Sequence, residues 1–400
     1  MKRTFICYCL LAVCITPAFG EEQAQSMRAR LRGLRGHTAP VSQDATAGPA
    51  WSTDYSLTPD TGLTSHSAVW DPATNAMIVF GGIDFGAEAT DTNAVLLYTP
   101  AAASWTTLIA NGALGAPSAR DSHTAVYDSA NNRMIVFGGF EFSYSGTESV
   151  FNDVWVLSNA NGQGSPLWTQ LNPTGTPPAP RFAQTAVYDA ANNRMIVFGG
   201  LGLDGEQLFS DLWVLTNANG IGGTPAWIKL TPTGSLTSDV ESPSAVYDSV
   251  NNIMTLFGGA NLAETASTNG VWTLSHANGL GGTPRWTNIV APGAAGSPAR
   301  RYGHTAVYDS ANNRMIIFGG GPAPDTEGIG FNDAWVLTYA NGLGGTPAWT
   351  KLKPTGTPPA TRWEHTAVYD AVNNRMLVFA GDLADPVYYL AWILSDADGL

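Results

Sequence analysis

Short apolar runs separated by polar turns recur along the chain. One apolar run covers residues 124–127, the polar stretch DSANNR follows at 128–133, and a second run at 134–137 ends in a glycine pair. A third run at 153–157 and a fourth at 168–171 complete the unit. Runs this short, rich in β-branched and aromatic side chains and bounded by Asn, Asp and Gly, predict strands rather than helices. The unit therefore predicts four short strands.

The unit occurs six times. The phenylalanine that closes the second run lies at positions 80, 137, 198, 257, 318 and 379. A four-stranded sheet that repeats radially is a propeller blade. We predict an all-β, six-bladed β-propeller over residues 49–400 with four antiparallel strands per blade. The blades are expected at about 62–110, 120–172, 181–231, 241–290, 301–352 and 362–400.

The two ends of the repeat region complement each other. The last unit stops at Leu400, before a fourth strand, whereas GPAWST at 48–53 resembles the fourth-strand sequence GTPAWT at 345–350. We expect residues 49–58 to complete the sixth blade and close the ring, since pairing the chain ends removes an exposed sheet edge. A seven-bladed protein truncated at its C-terminus is the alternative.

The N-terminal segment differs from the repeats. Residues 1–20 contain Lys2 and Arg3, an apolar run and small residues before Glu21, which predicts a signal peptide cleaved after Gly20. The expected location is secreted or periplasmic. Residues 21–48 carry four arginines and predict a flexible basic linker. Cys14 also leaves lipid attachment open as an alternative to cleavage after Gly20.

Composition narrows the possible partners and chemistry. All three cysteines precede Gly20, so the processed chain would lack a disulfide, a thiolate nucleophile and a cysteine metal ligand. Removing residues 1–20, with two basic and no acidic residues, changes the net charge from −13 to −15. An acidic chain of this kind is poorly suited to nucleic acid. No apolar run after residue 20 is long enough to span a bilayer. We expect a monomer that binds a protein or a glycan.

The glycine pair after the second strand, the NDVW and NDAW sequences at 152–155 and 332–335, and the later tryptophan of each unit resemble kelch repeats. Kelch repeats form β-propellers, including the central domain of galactose oxidase, and the resemblance covers residues 49–400. Copper-radical oxidases of this group need a Tyr–Cys crosslink, which a chain without mature cysteine cannot form. We therefore expect no cofactor and no metal site.

Residues common to every unit are most simply scaffold. This applies to the histidines of the first-strand motif (His66, His123, His304 and His365), which we expect to be hydrogen-bonded at the inner edge of each blade. Four arginines stand three residues before the motif position, and an aromatic residue follows three of them. We expect these residues to surround the mouth of the central channel, where guanidinium groups bind carboxylates and rings stack on sugars. The predicted ligand-binding residues are Arg120, Arg181, Arg301, Arg362, Phe182, Tyr302 and Trp363.

Three functional hypotheses follow. The first is an exported, non-catalytic binding module that recognises a protein or a glycan on the loop face around the channel mouth. The second is a periplasmic sugar-acting enzyme such as an acidic-sugar mutarotase, because some bacterial kelch propellers have this activity. It requires a carboxylate beside an arginine, and the candidates are Glu364 next to Arg362 and Glu141 near Arg120. The third is a pure assembly scaffold, in which the channel mouth would have no role and the rims of the blades would matter. As an alternative to ligand contact, the four arginines could brace neighbouring blades through carbonyl groups and acidic side chains.

Overall fold

The computed structural model describes residues 48–54, 62–85, 89–142, 148–203, 207–236, 241–261, 266–322, 330–381 and 390–400. These residues belong to one compact unit, Gly48–Leu400. The predicted signal peptide, the predicted linker up to residue 47 and residues 55–58 of the predicted closing segment lie outside the described residues.

The described residues contain six four-stranded antiparallel sheets, which confirms the predicted all-β class and the four-stranded unit. The first strands are Ser67–Asp71, Thr124–Asp128, Thr185–Asp189, Ser244–Asp248, Thr305–Asp309 and Thr366–Asp370. The second strands are Ala76–Phe80, Arg133–Phe137, Arg194–Phe198, Ile253–Phe257, Arg314–Phe318 and Arg375–Phe379. The third strands are Val95–Thr99, Val154–Ser158, Leu212–Thr216, Val271–Ser275, Ala334–Thr338 and Ala391–Ser395. The fourth strands are Ser104–Ile109, Leu167–Leu171, Ala226–Leu230, Arg285–Val290, Ala348–Lys351 and, in the sixth sheet, Ala50–Asp54.

Short strand pairs extend one end of the sheets. They are Leu63–Thr64, Ile83–Asp84 and Thr90–Asp91 in the first unit, Phe140–Glu141 with Ser149–Val150 in the second, and Ala260–Asn261 with Ala266–Ser267 in the fourth. Apart from the 3-10 turn Pro100–Ala102, the described part of the chain contains no helix. In that part, accordingly, no helix has the length and apolar character needed to cross a membrane.

The strand register defines two opposite ends of each sheet. In the second sheet, Arg133 pairs with both Asp128 and Ser158, so the first turn and the later hairpin lie at one end. We call this end of the molecule the turn face. Phe137 pairs with Thr124 and Val154 at the other end, where the second strand leads to the third. We call this end the mouth face, and all the predicted ligand-binding residues belong to it.

The first and last described strands pair in one sheet. Trp51 of the first described strand pairs with Leu394 of the last strand, so Ala50–Asp54 is the fourth strand of the sixth sheet. Neighbouring sheets share their apolar cores. Val79 and Tyr98 of the first sheet, for example, pack in one cluster with Leu377 and Phe379 of the sixth.

The glycine pairs bring the sheets close to the segments that precede the first strands. Gly139 has a φ of +107°, and a Cβ atom there would lie 2.8 Å from the Asp121 carbonyl oxygen and 2.8 Å from the His123 Cβ. A larger residue would separate the end of the second strand from this segment. The glycine pair thus allows the segment that carries the mouth-face residues to pack closely against the end of the second strand.

Candidate functional site

The mouth-face arginines are buried. In the second sheet, Arg120 has no solvent exposure and its Nε donates to the Ser118 carbonyl oxygen at 3.0 Å. Its Nη1 donates to the Gly138 carbonyl oxygen at 3.0 Å, and the fork binds both carboxylate oxygens of Asp153 at 2.6 and 3.0 Å. The guanidinium carbon lies 4.1 Å from the centre of the Phe151 ring. This guanidinium group is occupied by the protein's own groups.

The same arrangement holds Arg181 and Arg301. Arg181 binds Asp211 at 2.7 Å and lies over Phe209, and Arg301 binds Asp333 at 2.8 Å and lies over Phe331. Both side chains have no exposure. The expected ligand contact of Arg120, Arg181 and Arg301 is therefore corrected. These arginines brace their own sheets, because the aspartate at the start of the third strand neutralises them internally.

Arg362 departs from this arrangement. Its Nε donates to the Ala360 carbonyl oxygen at 3.1 Å and its Nη1 to the Ala380 carbonyl oxygen at 2.6 Å, and its guanidinium carbon lies 3.9 Å from the Trp392 ring centre. Leu390 stands two residues before Trp392, where the other three sheets have aspartate. The Arg362 Nη2 has no hydrogen-bond partner among the described residues. Burial lowers the pKa of Arg362 to about 9.

The three predicted aromatic residues keep part of their surface exposed. Phe182, Tyr302 and Trp363 are half-buried. The Phe182 ring centre lies 5.3 Å from that of Phe140. Backbone bridges to Leu201 and Gly321 hold Phe182 and Tyr302 beside the ends of the second strands. These rings keep exposed surface on the mouth face, whereas the neighbouring arginines are buried.

The residue after this aromatic position is hydrogen-bonded to its equivalent in a neighbouring sheet. The six equivalent residues all have a positive φ, between +47° and +59°, and they are Ser65, Ser122, Ala183, Ser242, Gly303 and Glu364. Backbone N–H groups donate from Ser122 to Ser65, from Ala183 to Ser122, from Ser242 to Ala183, from Glu364 to Gly303 and from Ser65 to Glu364, at 2.8–3.2 Å. The last of these bonds connects the first unit with the sixth.

Carboxylates gather on this face. Glu364 accepts hydrogen bonds from the Ser65 hydroxyl at 2.7 Å and the Thr64 hydroxyl at 3.3 Å. Asp121 is fully buried, and neither of its carboxyl oxygens has a hydrogen-bond partner in the described residues. One Asp91 oxygen accepts the Phe142 N–H at 2.6 Å, and the other has no such partner. Glu141, the other predicted catalytic candidate, is half-buried on the same face.

Burial changes the acidity of three of these groups. It raises the pKa of Asp91 to about 6 and the pKa of Asp121 well above its usual range, with the neighbouring Asp91 charge as the next cause for Asp121. Burial, and then the charge of Glu364, raise the pKa of Glu241 to about 7. The mouth face thus contains buried carboxyl groups with raised pKa values, where the sequence predicted free guanidinium groups.

Sequence reasoning missed Asp91, Asp121 and Glu241. Asp121 and Glu241 occupy the same repeat position as Phe182, Tyr302 and Trp363. A comparison of all six units at that position would have found them. Asp91 lies in the variable connection between the second and third strands, where the repeat gives no alignment. Only the folded chain brings it to Asp121.

The motif histidines connect neighbouring sheets, in keeping with the expected scaffold role. His66, His123, His304 and His365 each share a hydrogen bond through Nε2 with a hydroxyl of the preceding sheet, at 2.7–2.9 Å. Burial lowers the pKa of His66, His123 and His304 to about 3. In the described ranges, no group of three or more His, Cys, Asp or Glu side chains is arranged to hold a metal ion.

Comparison with protein families identifies this architecture. The model of the KLHDC2/KLHL20/DRC7 Kelch-repeats domain matches residues 65–274 and 249–395. These two matches span most of the chain and all six sheets. The chain belongs to the kelch-repeat family of β-propellers, which confirms the resemblance seen in the glycine pairs and tryptophans.

Individual relatives are more distant. The leucine-zipper-like transcriptional regulator 1 homolog of Drosophila melanogaster is 29% identical over 261 residues, which are 63% of this chain and 23% of that protein. An F-box/kelch-repeat protein of Arabidopsis thaliana is 26% identical over 294 residues, or 67% of this chain and 55% of that protein. The chain therefore matches about half or less of the length of these relatives. The solved structure of YjhT superposes with a TM-score of 0.57 at 18% identity, covering 84% of this chain and 94% of that one. This likeness concerns the fold.

Proposed function

We propose that the chain is a binding module whose mouth face recognises a protein partner. Membership of the kelch-repeat family, whose propellers mediate protein interactions, supports this proposal. The observation that carries it is the repeat position filled by Phe182, Tyr302 and Trp363, where half-buried rings stand next to buried carboxyl groups. Partly exposed aromatic residues on a rigid scaffold are typical anchors of protein interfaces.

The proposal includes a closed six-bladed ring. Three observations support closure: the pairing of Trp51 with Leu394, the shared core of the first and sixth sheets, and the 3.0 Å bond from the Ser65 N–H to the Glu364 carbonyl oxygen. A seventh blade would have to separate Ser65 from Glu364. Closure matters for function because it fixes the aromatic residues of different blades around one opening.

Export and the monomeric state also belong to the proposal. Residues 1–20 support export with cleavage after Gly20. Intact-mass measurement of the protein recovered from the periplasm or the medium tests this, and a mass beginning at Glu21 is the expected result. Light scattering of the same sample tests the monomeric state.

Site-specific photo-crosslinking tests the interface. A crosslinking amino acid placed at Tyr302 should label the partner, whereas the same group at Leu167, which is 64% exposed on a fourth strand, should not. Once the partner is identified, Trp363→Ala should raise the dissociation constant of the complex about 30-fold, because central aromatic anchors contribute about 2 kcal/mol or more. Leu167→Ala should leave it unchanged. Labelling only from Leu167, with full binding by Trp363→Ala, would place the interface elsewhere.

A glycan ligand and sugar chemistry are tested on the same protein. The sugar-enzyme alternative needs a carboxylate beside an arginine that is free to exchange a proton with the sugar, but Glu364 accepts hydrogen bonds from the Ser65 and Thr64 hydroxyls, and Arg120 is paired with Asp153. A panel of neutral and acidic sugars should therefore give no turnover that depends on Glu364. Turnover that Glu364→Gln abolishes, with sugar binding retained, would favour the enzyme over the binding module.

A further inference from the structure

The buried arginine before the first strand and the aspartate before the third strand form an ion pair in three of the six units. Three sheets pair an arginine before the first strand with an aspartate at the third strand: Arg120 with Asp153, Arg181 with Asp211 and Arg301 with Asp333. The first and fourth units lack both members, since they have Leu63 with Asn93 and Val240 with Gly270 at the two positions. The two residues therefore occur together in three units and are both absent from two.

The sixth unit alone separates the pair. It keeps Arg362 but has Leu390 at the aspartate position. Arg362 has no solvent exposure, and its Nη2 has no partner among the described residues. A buried guanidinium without a counter-ion is unfavourable, because it has lost its hydration and gained no charge partner. In the described part of the sixth sheet, Arg362 lacks the carboxylate that pairs with each of the other three arginines.

We propose that Arg362 binds a carboxylate of the ligand, at the position that Asp153, Asp211 and Asp333 occupy in their own sheets. This inference rests on the proposed function and names the chemistry that one blade of the mouth face recognises. A guanidinium fork whose inner nitrogen is already fixed by a carbonyl is preorganised for an incoming carboxylate. In Arg362 the Ala380 carbonyl oxygen fixes Nη1 and leaves Nη2 for the ligand.

The position is close to solvent. The side chains of Asp153, Asp211 and Asp333 are 20%, 19% and 16% exposed, so the place each fills is reached from the mouth face. In the sixth sheet Leu390 is 7% exposed and partly closes this approach. Binding therefore requires Leu390 to change rotamer. A smaller side chain at 390 should make the carboxylate bind more tightly.

Trp392 gives the site an apolar side. Equivalent tryptophans donate their Nε1–H to the aspartate, as Trp155 does to Asp153 at 2.7 Å, while a phenylalanine covers the guanidinium. In the sixth sheet the tryptophan itself covers the guanidinium, 3.9 Å from the ring centre. The ligand carboxylate would thus lie beside an indole that shields Arg362 from water.

The carboxylate could come from an acidic protein segment or from an acidic sugar. Calorimetric titration of the full chain with glucuronate and with an acetylated Asp-Glu peptide separates these sources, with glucose and an Asn-Gln peptide as neutral controls. We expect at least one acidic probe to bind and neither neutral control. Binding of only one acidic probe identifies the source, and equal binding of the neutral controls would overturn the proposal.

Variants at Leu390 give the decisive test. Leu390→Asp supplies the internal partner, so it should raise the unfolding midpoint by about 1–2 °C, because a chain of this length has a large entropy of unfolding. It should also weaken binding of the acidic probe at least tenfold. Leu390→Ala should strengthen that binding. The proposal fails if Leu390→Asp binds the probe as the unmodified chain does, or if the acidic probes bind neither the unmodified chain nor Leu390→Ala.

Two further variants separate this site from its alternatives. Arg301→Met removes a paired arginine and should lower stability without changing probe affinity, whereas Arg362→Met should abolish probe binding. Leu390→Asp should fold well, so the test does not depend on the stability of Arg362→Met. Retained crosslinking of a protein partner from Tyr302, combined with failure at Leu390, would reject the carboxylate site and keep the proposed mouth-face interface.

Discussion

Buried aspartate side chains have many hydrogen-bond donors on the turn face and few on the mouth face. On the turn face, the Asp128 carboxylate accepts the Asn131 N–H at 3.3 Å, the Asn131 amide at 2.7 Å and the Asn219 amide of the next sheet at 2.6 Å. On the mouth face, Asp121 is equally buried, and its oxygens have no such donor in the described chain. These two aspartates lie seven positions apart in the sequence.

The pKa values follow this difference. Burial alone would raise the pKa of Asp248 on the turn face, but hydrogen bonds from Asn341 and Asn251 outweigh it and hold the pKa below its usual value. On the mouth face the effect of burial exceeds that of the Phe142 hydrogen bond, and the pKa of Asp91 rises to about 6. The turn-face aspartates thus have hydrogen-bond donors that lower their pKa, whereas Asp121 and one oxygen of Asp91, at positions that vary between units, have no donor among the described residues.

Removal of a turn-face carboxylate should have the largest effect. Asp128→Ala leaves the amides of Asn131 and Asn219 without their acceptor and breaks the link between the second and third sheets. We expect the free energy of unfolding to fall by about 3 kcal/mol. Urea unfolding at pH 7 measures it. Glu148→Ala, at an exposed position, is the control and should change stability by less than about 0.5 kcal/mol. Similar losses in both variants would contradict the scaffold role of Asp128.

Neutralising a mouth-face carboxylate should raise the free energy of unfolding, whereas removing Asp128 should lower it. The pKa of Glu241 is raised to about 7 from 4.5, so between these pH values the folded chain binds more protons than the unfolded chain. This group's contribution to stability is therefore present below pH 4.5 and lost as the pH rises through 7. Glu241→Gln should gain about 2 kcal/mol at pH 8.

The pH dependence is the control for this variant. At pH 3 Glu241 is almost fully protonated in both states, so Glu241→Gln should match the unmodified chain there. Paired urea titrations at pH 3 and pH 8 give the comparison. A loss of stability at pH 8 would show that the ionised Glu241 has a partner that stabilises it, and the contrast between the two faces would not hold.

The turn face could be predicted from the sequence, and the mouth face only in part. The DSANNR turn, the strand pairs and the role of Trp51 in the last blade follow from six aligned copies of one pattern. The direction of the Arg120 guanidinium does not, because it depends on Asp153, which lies 33 residues away across a connection of variable length. The joint occurrence of arginine and aspartate in three units was visible in the sequence. It indicates a contact once the fold shows that the end of the second strand pairs with the starts of both the first and the third strand, which brings Arg120 and Asp153 to the same end of the sheet.

The smallest effect is expected where the turn face itself departs from the repeat. Asn161, Asn219, Asn278 and Asn341 each donate to an aspartate of the preceding sheet, at 2.6–2.8 Å. The sixth sheet has Asp398 instead, which has no proton to donate when ionised, and the Asn312 amide reaches both Asp309, at 2.7 Å, and Asp398, at 3.4 Å. Asp398→Asn restores the donor and should raise the free energy of unfolding by about 1 kcal/mol.

The reverse substitution makes this comparison quantitative. Asn341→Asp places a second carboxylate against Asp248, which now accepts the Asn341 amide at 2.6 Å, and it should lower stability at pH 7 by about 1–3 kcal/mol. At pH 3 most of that loss should disappear, because a protonated carboxyl group can donate again. Urea unfolding of both variants at the two pH values tests the pair. If Asp398→Asn lowers stability while Asn341→Asp is neutral, the sixth sheet uses its acid in a different bond. The turn face would then, like the mouth face, be specialised at the blade that joins the chain ends.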